Sequence, residues 1–233
     1  MRIAVCGKHH PDCENLAVML SQRLIELCAD IDVVLSDDGN DLVAKLESPV
    51  FIFLDADMSN PNSVELARQI REKGFECPIF FYSDSSLNAL DSYSVYPSGF
   101  LLKPFDYTQL CKTIDWYRDS ITPYLRKIDI VTSRIPLNIY LADIISIEVQ
   151  GRICVVNTNN GNIKTNQPLS VIMDKLSGIP FFRCHRNFIV NLCYLSEIAC
   201  SELLMTNGSS IPISPDNRKV LRQMETHLKP KGL

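Results

Sequence analysis

Apolar residues in the first half of the chain fall into short runs that alternate with helix-like segments. The runs cover residues 3–6, 33–35, 50–54, 79–82 and 99–102. Between them, apolar residues recur at helical spacing, which predicts helices at about residues 11–27, 41–46, 63–72 and 107–118. Unbroken apolar strands separated by helices are typical of a parallel sheet covered on both faces. We therefore predict a doubly wound α/β domain at residues 1–119.

The pattern changes after residue 119. Residues 120–127 are mostly polar and contain Pro123, which predicts a linker. Beyond it, short apolar segments are separated by turn signals, among them the Asn-Gly pairs at residues 160–161 and 207–208. This predicts a mostly antiparallel β domain at residues 128–233, with helices at 168–176 and after Ser214. Its predicted strands cover residues 128–131, 139–141, 144–149, 153–157, 181–184, 188–190, 203–206 and 211–213.

Length and composition are those of an ordinary folded protein with two modest domains. Of 233 residues, 46% are hydrophobic and 21% are charged. The longest apolar run, residues 50–54, is far shorter than a membrane span of roughly 20 residues, so no membrane partner is expected. The nine cysteines are scattered without a C-x-x-C pair, which favours reduced thiols and a cytoplasmic location over disulfides or zinc.

The net charge of −4 averages two halves of opposite sign. Residues 1–119 contain 10 Lys and Arg against 19 Asp and Glu, whereas residues 120–233 contain 13 against 8. An asymmetry of this kind indicates that the basic half meets a polyanion such as nucleic acid.

Polar side chains follow three of the predicted strands of the first domain. Asp55 ends the third strand, Ser83 follows the fourth and Lys103 follows the fifth. Because the carboxyl ends of parallel strands meet at one edge of a sheet, we expect these groups to converge. A carboxylate nucleophile beside a hydroxyl and an ammonium that bind phosphoryl oxygens is suited to phosphoryl acceptance.

Residues 1–119 resemble a response-regulator receiver domain. The resemblance lies in the segments 54–58, 64–71 and 100–105. It implies a flavodoxin-like fold with a five-stranded sheet. It also implies that Asp55 is at the phosphoacceptor position, Ser83 is the switch hydroxyl, Phe100 is the switch aromatic and Lys103 is the phosphate-binding lysine.

The resemblance to receiver domains fails at the positions where that family binds metal. The family has an acidic pair after the first strand, which with the acceptor aspartate holds Mg²⁺, but this chain has Gly7 and Lys8. Asp12 falls in the first predicted helix, and residues 37–38 close the second strand, so neither is expected to replace the pair. We therefore predict a pseudo-receiver without a cofactor, in which Lys8 takes the place of the metal and pairs with Asp55 or Asp57.

Three alternatives stay open for this site. Asp55 and Lys103 could form no more than a buried ion pair, and Lys8 could extend into solvent. The third alternative is a conventional response regulator, phosphorylated on Asp55 by a partner histidine kinase through a displaced metal ligand.

Residues 182–191 (FRCHRNFIVN) resemble the signature of the LytTR DNA-binding domain, and the flanks 143–148, 168–170 and 207–214 agree. The resemblance covers about residues 128–228. It implies a small ten-stranded β unit that inserts loop residues into successive major grooves of double-stranded DNA. The family position of Arg186 implies base reading, for which a guanidinium fork suits guanine.

The other DNA contacts are assigned by residue type and position. Arg152 follows Gly151 in a turn, where it can also reach DNA, and His185 is expected to hold its loop through backbone hydrogen bonds, as is Asn191. Pro215 stands where many relatives have a basic residue at the start of the last helix. The expected phosphate contacts are Arg183, Asn187, Arg218 and Lys219.

These patterns predict a bacterial transcription regulator that binds promoter repeats, with a homodimer implied by resemblance, and not an enzyme. Two other classes compete. A hydrolase could use Cys184 with His185, but neighbours on a strand point to opposite faces. A protein-interaction scaffold could have lost DNA binding, and salt-dependent binding to promoter DNA separates the regulator from both.

Overall fold

The structure is a computed structural model that describes residues 1–7, 11–58, 62–85, 93–132, 135–176 and 180–228, with side chains of the last helix to residue 222. The chain divides into two compact units. The first comprises residues 1–24 and 29–124, and the second comprises residues 25–28 and 125–233.

The first unit is the predicted α/β domain. Its five strands are all parallel, in the order β2-β1-β3-β4-β5, which is the flavodoxin-like order. The predicted doubly wound, flavodoxin-like fold class is therefore confirmed. The elements are β1 (Arg2–Cys6), α1 (Pro11–Glu26), β2 (Asp32–Ser36), α2 (Gly39–Lys45), β3 (Pro49–Asp55), α3 (Ser63–Glu72), β4 (Ile79–Ser83), β5 (Gly99–Leu102), α4 (Tyr107–Trp116) and α5 (Arg118–Ile121).

The central strands are buried because helices cover both faces of the sheet. All five residues of β4 are buried, and so are the last six of β3, whereas the edge strand β2 is partly exposed. Three helices begin with a side-chain cap, in which Asp38, Asn62 and Asp106 accept backbone N–H groups of the first turn. Asp37 and Asp38 thus close the second strand as expected, with Asp38 serving α2 as its cap.

The segment predicted as a linker is not wholly irregular. The helix α5 reaches Ile121, and a short 3₁₀ helix follows at Thr122–Tyr124. Buried Ile121 explains why this polar stretch remains part of the first unit.

The second unit is the predicted β domain. Within the described residues it has ten strands in three sheets, with the orders β10-β9-β8-β12-β11, β13-β14-β15 and β6-β7. All pairings in these sheets are antiparallel, which confirms the predicted class. The elements are β6 (Lys127–Thr132), β7 (Ile135–Tyr140), β8 (Ile144–Gln150), β9 (Ile153–Thr158), β10 (Gly161–Thr165), α6 (Leu169–Leu176), β11 (Phe181–His185), β12 (Phe188–Asn191), β13 (Leu195–Ile198), β14 (Glu202–Met205), β15 (Ser210–Pro212) and α7 (Pro215–Leu228).

Strand β13 is not predicted by the sequence. Its residues, Leu-Ser-Glu-Ile, lack the alternation of a strand with one buried face. It exists because it pairs with β14, whose Leu203 and Met205 are buried.

No helix in the described parts of the chain has the length and apolar character needed to cross a membrane.

Candidate acidic site and nucleic-acid interface

Four carboxylates surround the ammonium of Lys103 at the carboxyl edge of the parallel sheet. The Nζ atom lies 3.6 Å from Asp12, 3.7 Å from Asp55, 3.5 Å from Asp57 and 3.8 Å from Asp84, measured to Oδ2 of each. The Lys103 side chain is only 7% exposed, and that of Asp55 is 8% exposed. The strand pattern in the sequence predicts that Asp55 and Lys103 lie at one edge of the sheet, but it does not predict that Asp12 and Asp84 join them.

Hydrogen bonds fix the acidic side chains relative to the strand ends. Ser83 donates to Asp57 Oδ1 at 2.7 Å, and the backbone N–H of Asp84 donates to Asp57 Oδ2 at 3.1 Å. The N–H of Asp57 in turn donates to Asp55 Oδ1 at 3.0 Å. The N–H of Lys103 donates to the carbonyl of Ser83 at 2.8 Å, which joins the ends of β4 and β5. The site is therefore ordered by its own hydrogen bonds.

The charges in this site shift one another's pKa. Burial raises the pKa of Asp55 above its ordinary value, although the Asp57 N–H and Lys103 partly offset this. For Asp57 burial acts in the same direction, but hydrogen bonds from Ser83 and the Asp84 N–H outweigh it and the pKa is lowered. Burial alone would lower the pKa of Lys103, yet the surrounding carboxylates raise it. The ammonium thus stays charged, while the Asp55 carboxylate is held in an unfavourable environment.

The end of the first strand has no room for an acidic side chain at residue 7. A Cβ on Gly7 would stand 2.3 Å from the hydroxyl of Tyr82 and 3.3 Å from Cβ of Asp55. Tyr82 is fully buried, and its hydroxyl donates to the carbonyl of Cys6 at 3.2 Å. The tyrosine, which the sequence does not mark as a site residue, occupies the volume next to Gly7.

The residues present do not fit the Mg²⁺ ion that receiver domains use. Mg²⁺ requires oxygen ligands at roughly 2.0–2.1 Å in octahedral geometry. Gly7 offers no side-chain ligand, and the Lys103 ammonium lies among the carboxylates. In the described parts of the chain, no group of three or more His, Cys, Asp or Glu side chains is arranged to hold a metal ion.

Phe100 and Lys8 are the other two receiver residues that the sequence predicts. Phe100 is half-buried on β5 and packs against the core formed by β1, β3 and β4. Lys8, for which the sequence predicts a pair with Asp55 or Asp57, lies outside the described residues.

Two turns of the second unit lie at the same end of its five-stranded sheet. Gln150 pairs with Ile153 across the turn at residues 151–152, and His185 pairs with Phe188 across the turn at residues 186–187. Because Phe188 also pairs with Glu148, both turns are at one end, roughly 10 Å apart over two strand spacings. We call residues 151–152 and 186–187 the paired turns. Arg152 and Arg186 are exposed on them.

Side chains around the second paired turn bond to its backbone. Arg183 Nη2 donates to the carbonyl of Arg186 at 2.9 Å. The N–H of Asn187 donates to His185 Nδ1 at 3.3 Å, and the carbonyl of Asn187 accepts the N–H of Val149 at 2.9 Å. The His185 ring thus accepts a backbone hydrogen bond within its own turn.

The start of the last helix is attached to the same region. Asn217 Nδ2 donates to the carbonyls of Arg183 and Cys184 at 3.1 and 3.0 Å. The N–H of Ser214 also donates to the carbonyl of Cys184, at 3.2 Å. Arg218 donates to the carbonyl of Cys200. Asn217 is missed in the sequence because a polar residue in a helical first turn has no distinctive pattern. Lys219, which follows Arg218 in the helix, is exposed.

Asn191 and Cys184 are structural. Asn191 is fully buried, donates to the carbonyl of Ile144 at 2.9 Å and accepts the N–H of Cys193. The Cys184 thiol is buried, and burial raises its pKa to about 12. A thiol with that pKa forms almost no thiolate at neutral pH, which argues against the hydrolase.

Comparisons with known proteins agree with these two units. Residues 136–225 match the family model of the LytTr DNA-binding domain. The sensory transduction protein LytT of Bacillus cereus is 24% identical over 236 aligned positions, covering 91% of this chain and 96% of that protein. The transcriptional regulatory protein BtsR of Escherichia coli is 26% identical, covering 90% and 92%.

Solved structures of single domains also match. The response regulatory domain of protein mrkE from Klebsiella pneumoniae covers 53% of this chain and 99% of that chain, with 18% identity and a TM-score of 0.46. A LytTr DNA-binding domain from Bacillus cereus covers 43% and 96%, with 23% identity and a TM-score of 0.37. Residues 136–225 thus match the LytTr DNA-binding domain, and the first unit, which we call the receiver-type domain, has the strand order of a flavodoxin-like receiver.

Proposed function

We propose that this chain is a response regulator of the LytTR type, which binds specific promoter repeats through the paired turns and the start of the last helix. The observation that carries the proposal is the common position of Arg152 and Arg186 at one end of the five-stranded sheet. Two exposed arginines on turns whose backbones are roughly 10 Å apart suit the major groove, which is about 12 Å wide. The excess of basic residues in this half of the chain supports the same conclusion.

The remaining side chains divide by what they already contact. Arg186 and Arg152 read base edges in this proposal, whereas Lys219 and Asn187 contact phosphates and set the register. Arg183 and Arg218 each donate to a backbone carbonyl, but a guanidinium has further N–H groups that remain available for a phosphate. His185 supports the turn through the Asn187 N–H.

Binding to a promoter fragment, measured against salt, tests this proposal. We expect affinity for the specific site to fall steeply as salt rises, because each phosphate contact releases counterions. Arg186→Ala should reduce the preference for the specific over a scrambled fragment, while Lys219→Ala should weaken both fragments alike. Equal affinity of the Arg186→Ala variant and the parent protein for both fragments would contradict the assignment.

We also propose that the receiver-type domain is a pseudo-receiver, not controlled by Mg²⁺-dependent phosphorylation of Asp55. The absence of the acidic pair at Gly7 and Lys8, and the Lys103 ammonium among four carboxylates, support it. In this proposal Lys8 keeps the role predicted from the sequence, in which it pairs with Asp55 or Asp57. Among the described residues, Lys103 is a cation that neutralises these two carboxylates. The domain is then held in one state without a phosphoryl group.

Calorimetric titration with Mg²⁺ followed by incubation with acetyl phosphate tests the pseudo-receiver. We expect neither saturable Mg²⁺ binding nor an acyl phosphate on Asp55, which mass spectrometry of the intact protein detects by its added mass. Formation of the acyl phosphate, and its loss in Asp55→Asn, would refute this proposal.

A conventional response regulator phosphorylated on Asp55 is the second candidate, and one observation favours it. Asp12 brings a carboxylate to the site from the first turn of α1, close to the missing acidic pair in sequence. This candidate requires a histidine kinase as a partner, whereas the pseudo-receiver does not. Under it, Asp12→Asn should reduce labelling of Asp55 by acetyl phosphate; under the pseudo-receiver there is no labelling to reduce.

We propose that the regulator acts as a homodimer, because two copies of its DNA-binding domain can occupy two half-sites at once. Sedimentation of the protein with fragments that carry one or two repeats tests this proposal. A homodimer should bind the fragment with two repeats alone, whereas independent copies should bind as one copy on one repeat and two copies on two.

A further inference from the structure

We infer that Tyr82 is the residue that closes the metal position of the receiver-type domain, so that an acidic pair restored at residues 7 and 8 binds Mg²⁺ only if Tyr82 is also shortened. This inference rests on the pseudo-receiver proposed above and identifies the residue that maintains it. Mg²⁺ binding is then prevented in two ways: the carboxylates are missing, and the buried phenol of Tyr82 occupies their space.

The position of Tyr82 explains how it reaches the first strand. Tyr82 pairs with Asp55 on β3, and β3 lies between β4 and β1 in the sheet. Its hydroxyl nevertheless donates to the carbonyl of Cys6, the last residue of β1. The side chain therefore extends across the end of β3, beside Asp55, to the point where the family's acidic pair begins.

The contacts of the ring hold it in that place. Tyr82 is fully buried, and its ring packs edge-on against Phe105 with centroids 6.2 Å apart. The Lys103 Nζ atom lies 5.3 Å from the ring centroid, on the side of the carboxylates. These neighbours hold the ring beside residue 7.

Gly7 is glycine because of Tyr82 and not because of its own backbone. Four other glycines, Gly74, Gly151, Gly161 and Gly208, have a positive φ, but Gly7 does not. Backbone φ therefore does not exclude a side chain at residue 7. The Tyr82 hydroxyl, 2.3 Å from where its Cβ would be, makes the severe clash, and Cβ of Asp55 at 3.3 Å makes a second, milder one. Contacts under 3.0 Å are essentially never made by a real Cβ atom, so the tyrosine or the strand must shift.

The first experiment restores the carboxylates with and without the tyrosine. Four full-length proteins are titrated with MgCl₂ by calorimetry: the parent, Gly7→Asp/Lys8→Asp, Tyr82→Leu, and the triple variant. We expect the triple variant to bind Mg²⁺ at least about tenfold more tightly than the double variant, and the parent and Tyr82→Leu to show no saturable binding. Equal affinities of the double and triple variants would overturn the inference. Mg²⁺ binding by the parent would instead refute the pseudo-receiver, so the two failures are distinguishable.

The second experiment tests the contact without any metal and covers the case in which the triple variant does not fold. Gly7→Ala is made in the parent and in Tyr82→Phe, and thermal unfolding of the full-length proteins is followed. We expect Gly7→Ala to lower the melting temperature of the parent by several degrees. In the Tyr82→Phe background the decrease should be less than half as large, because that substitution removes the clashing oxygen.

Tyr117→Phe provides the matched control for this cycle. Tyr117 also donates through its hydroxyl to a backbone carbonyl, that of Ser98, and its ring is packed against Phe80. The effect of Gly7→Ala should be the same in Tyr117→Phe as in the parent. An effect of Gly7→Ala that is equally large in the parent and in Tyr82→Phe would overturn the inference.

Discussion

Replacing Lys103 by Met should destabilise the receiver-type domain, because it removes the cation from an acidic cluster. At 3.7 Å and an effective dielectric constant of about 20, the attraction between Lys103 and Asp55 is about 4.5 kcal/mol before desolvation is subtracted. The Asp12 and Asp84 side chains are 41% and 75% exposed, so water screens them and they add little. Asp55 is 8% exposed and would be left buried without its cation. Removing one partner of a buried pair typically costs roughly 3–5 kcal/mol, and we expect a loss of about 3 kcal/mol.

Urea unfolding of the full-length protein, followed by circular dichroism, measures this loss. Lys103→Met/Asp55→Asn should recover a large part of it, because the buried charge is then gone. Lys45→Met is the control, since Lys45 pairs with Asp41 in solvent and its loss should leave stability nearly unchanged. A Lys103→Met variant as stable as the Lys45→Met variant, with no gain from Asp55→Asn, would refute the reasoning.

The loss of stability in Lys103→Met should depend on pH, and the direction follows from the pKa of Asp55. Burial raises the folded-state pKa of Asp55 above its unfolded value, so its charged form opposes folding and this opposition fades as pH falls through the folded-state pKa. Removing the ammonium should raise that pKa further. The difference in stability between the parent and Lys103→Met should therefore shrink on acidification, and a difference that grows would contradict the electrostatic explanation.

Three further outcomes are expected. Arg186→Ala should lose roughly 1–3 kcal/mol of discrimination between specific and scrambled DNA, as competition binding measures, whereas Lys219→Ala should reduce the salt slope by about 1 without changing the preference. Asn217→Ala should weaken specific binding by lowering order in the turn at residues 186–187, which faster amide exchange of Asn187 would reveal; unchanged exchange with unchanged binding would exclude this role. Thiol alkylation at neutral pH should modify exposed Cys200 rapidly and spare buried Cys184, whose pKa is about 12, and rapid labelling of Cys184 would contradict its burial.

Much of the fold follows from local patterns in the sequence. Strands such as β3 and β4 are unbroken apolar runs because helices cover both faces, and the sequence predicts α3 at its observed bounds because its apolar residues repeat at helical spacing. The strand β13 is missed because its sequence has no such repeat and its pairing with β14 is a long-range contact.

The sites could be predicted only in part for a related reason. Asp55, Ser83 and Lys103 follow strands, so sheet topology alone brings them to one edge. Asp12 comes from a helix and Asp84 from a loop, and their approach to Lys103 depends on where those elements pack. Asn217 likewise contacts β11 only because α7 packs against that strand.

The sequence by itself predicted two domains of opposite charge, and it shows Gly7 and Lys8 where the resemblance leads one to expect an acidic pair, together with the arginines that the DNA-binding proposal uses. These are properties of residue type and order, which local periodicity and composition reveal. Only the tertiary structure decided that Lys103 has four carboxylates around it, that Tyr82 fills the space beside Gly7, and that Arg152 and Arg186 share one end of a sheet. Each of these depends on strand order and register, which join residues far apart in the chain and leave no mark in the local sequence.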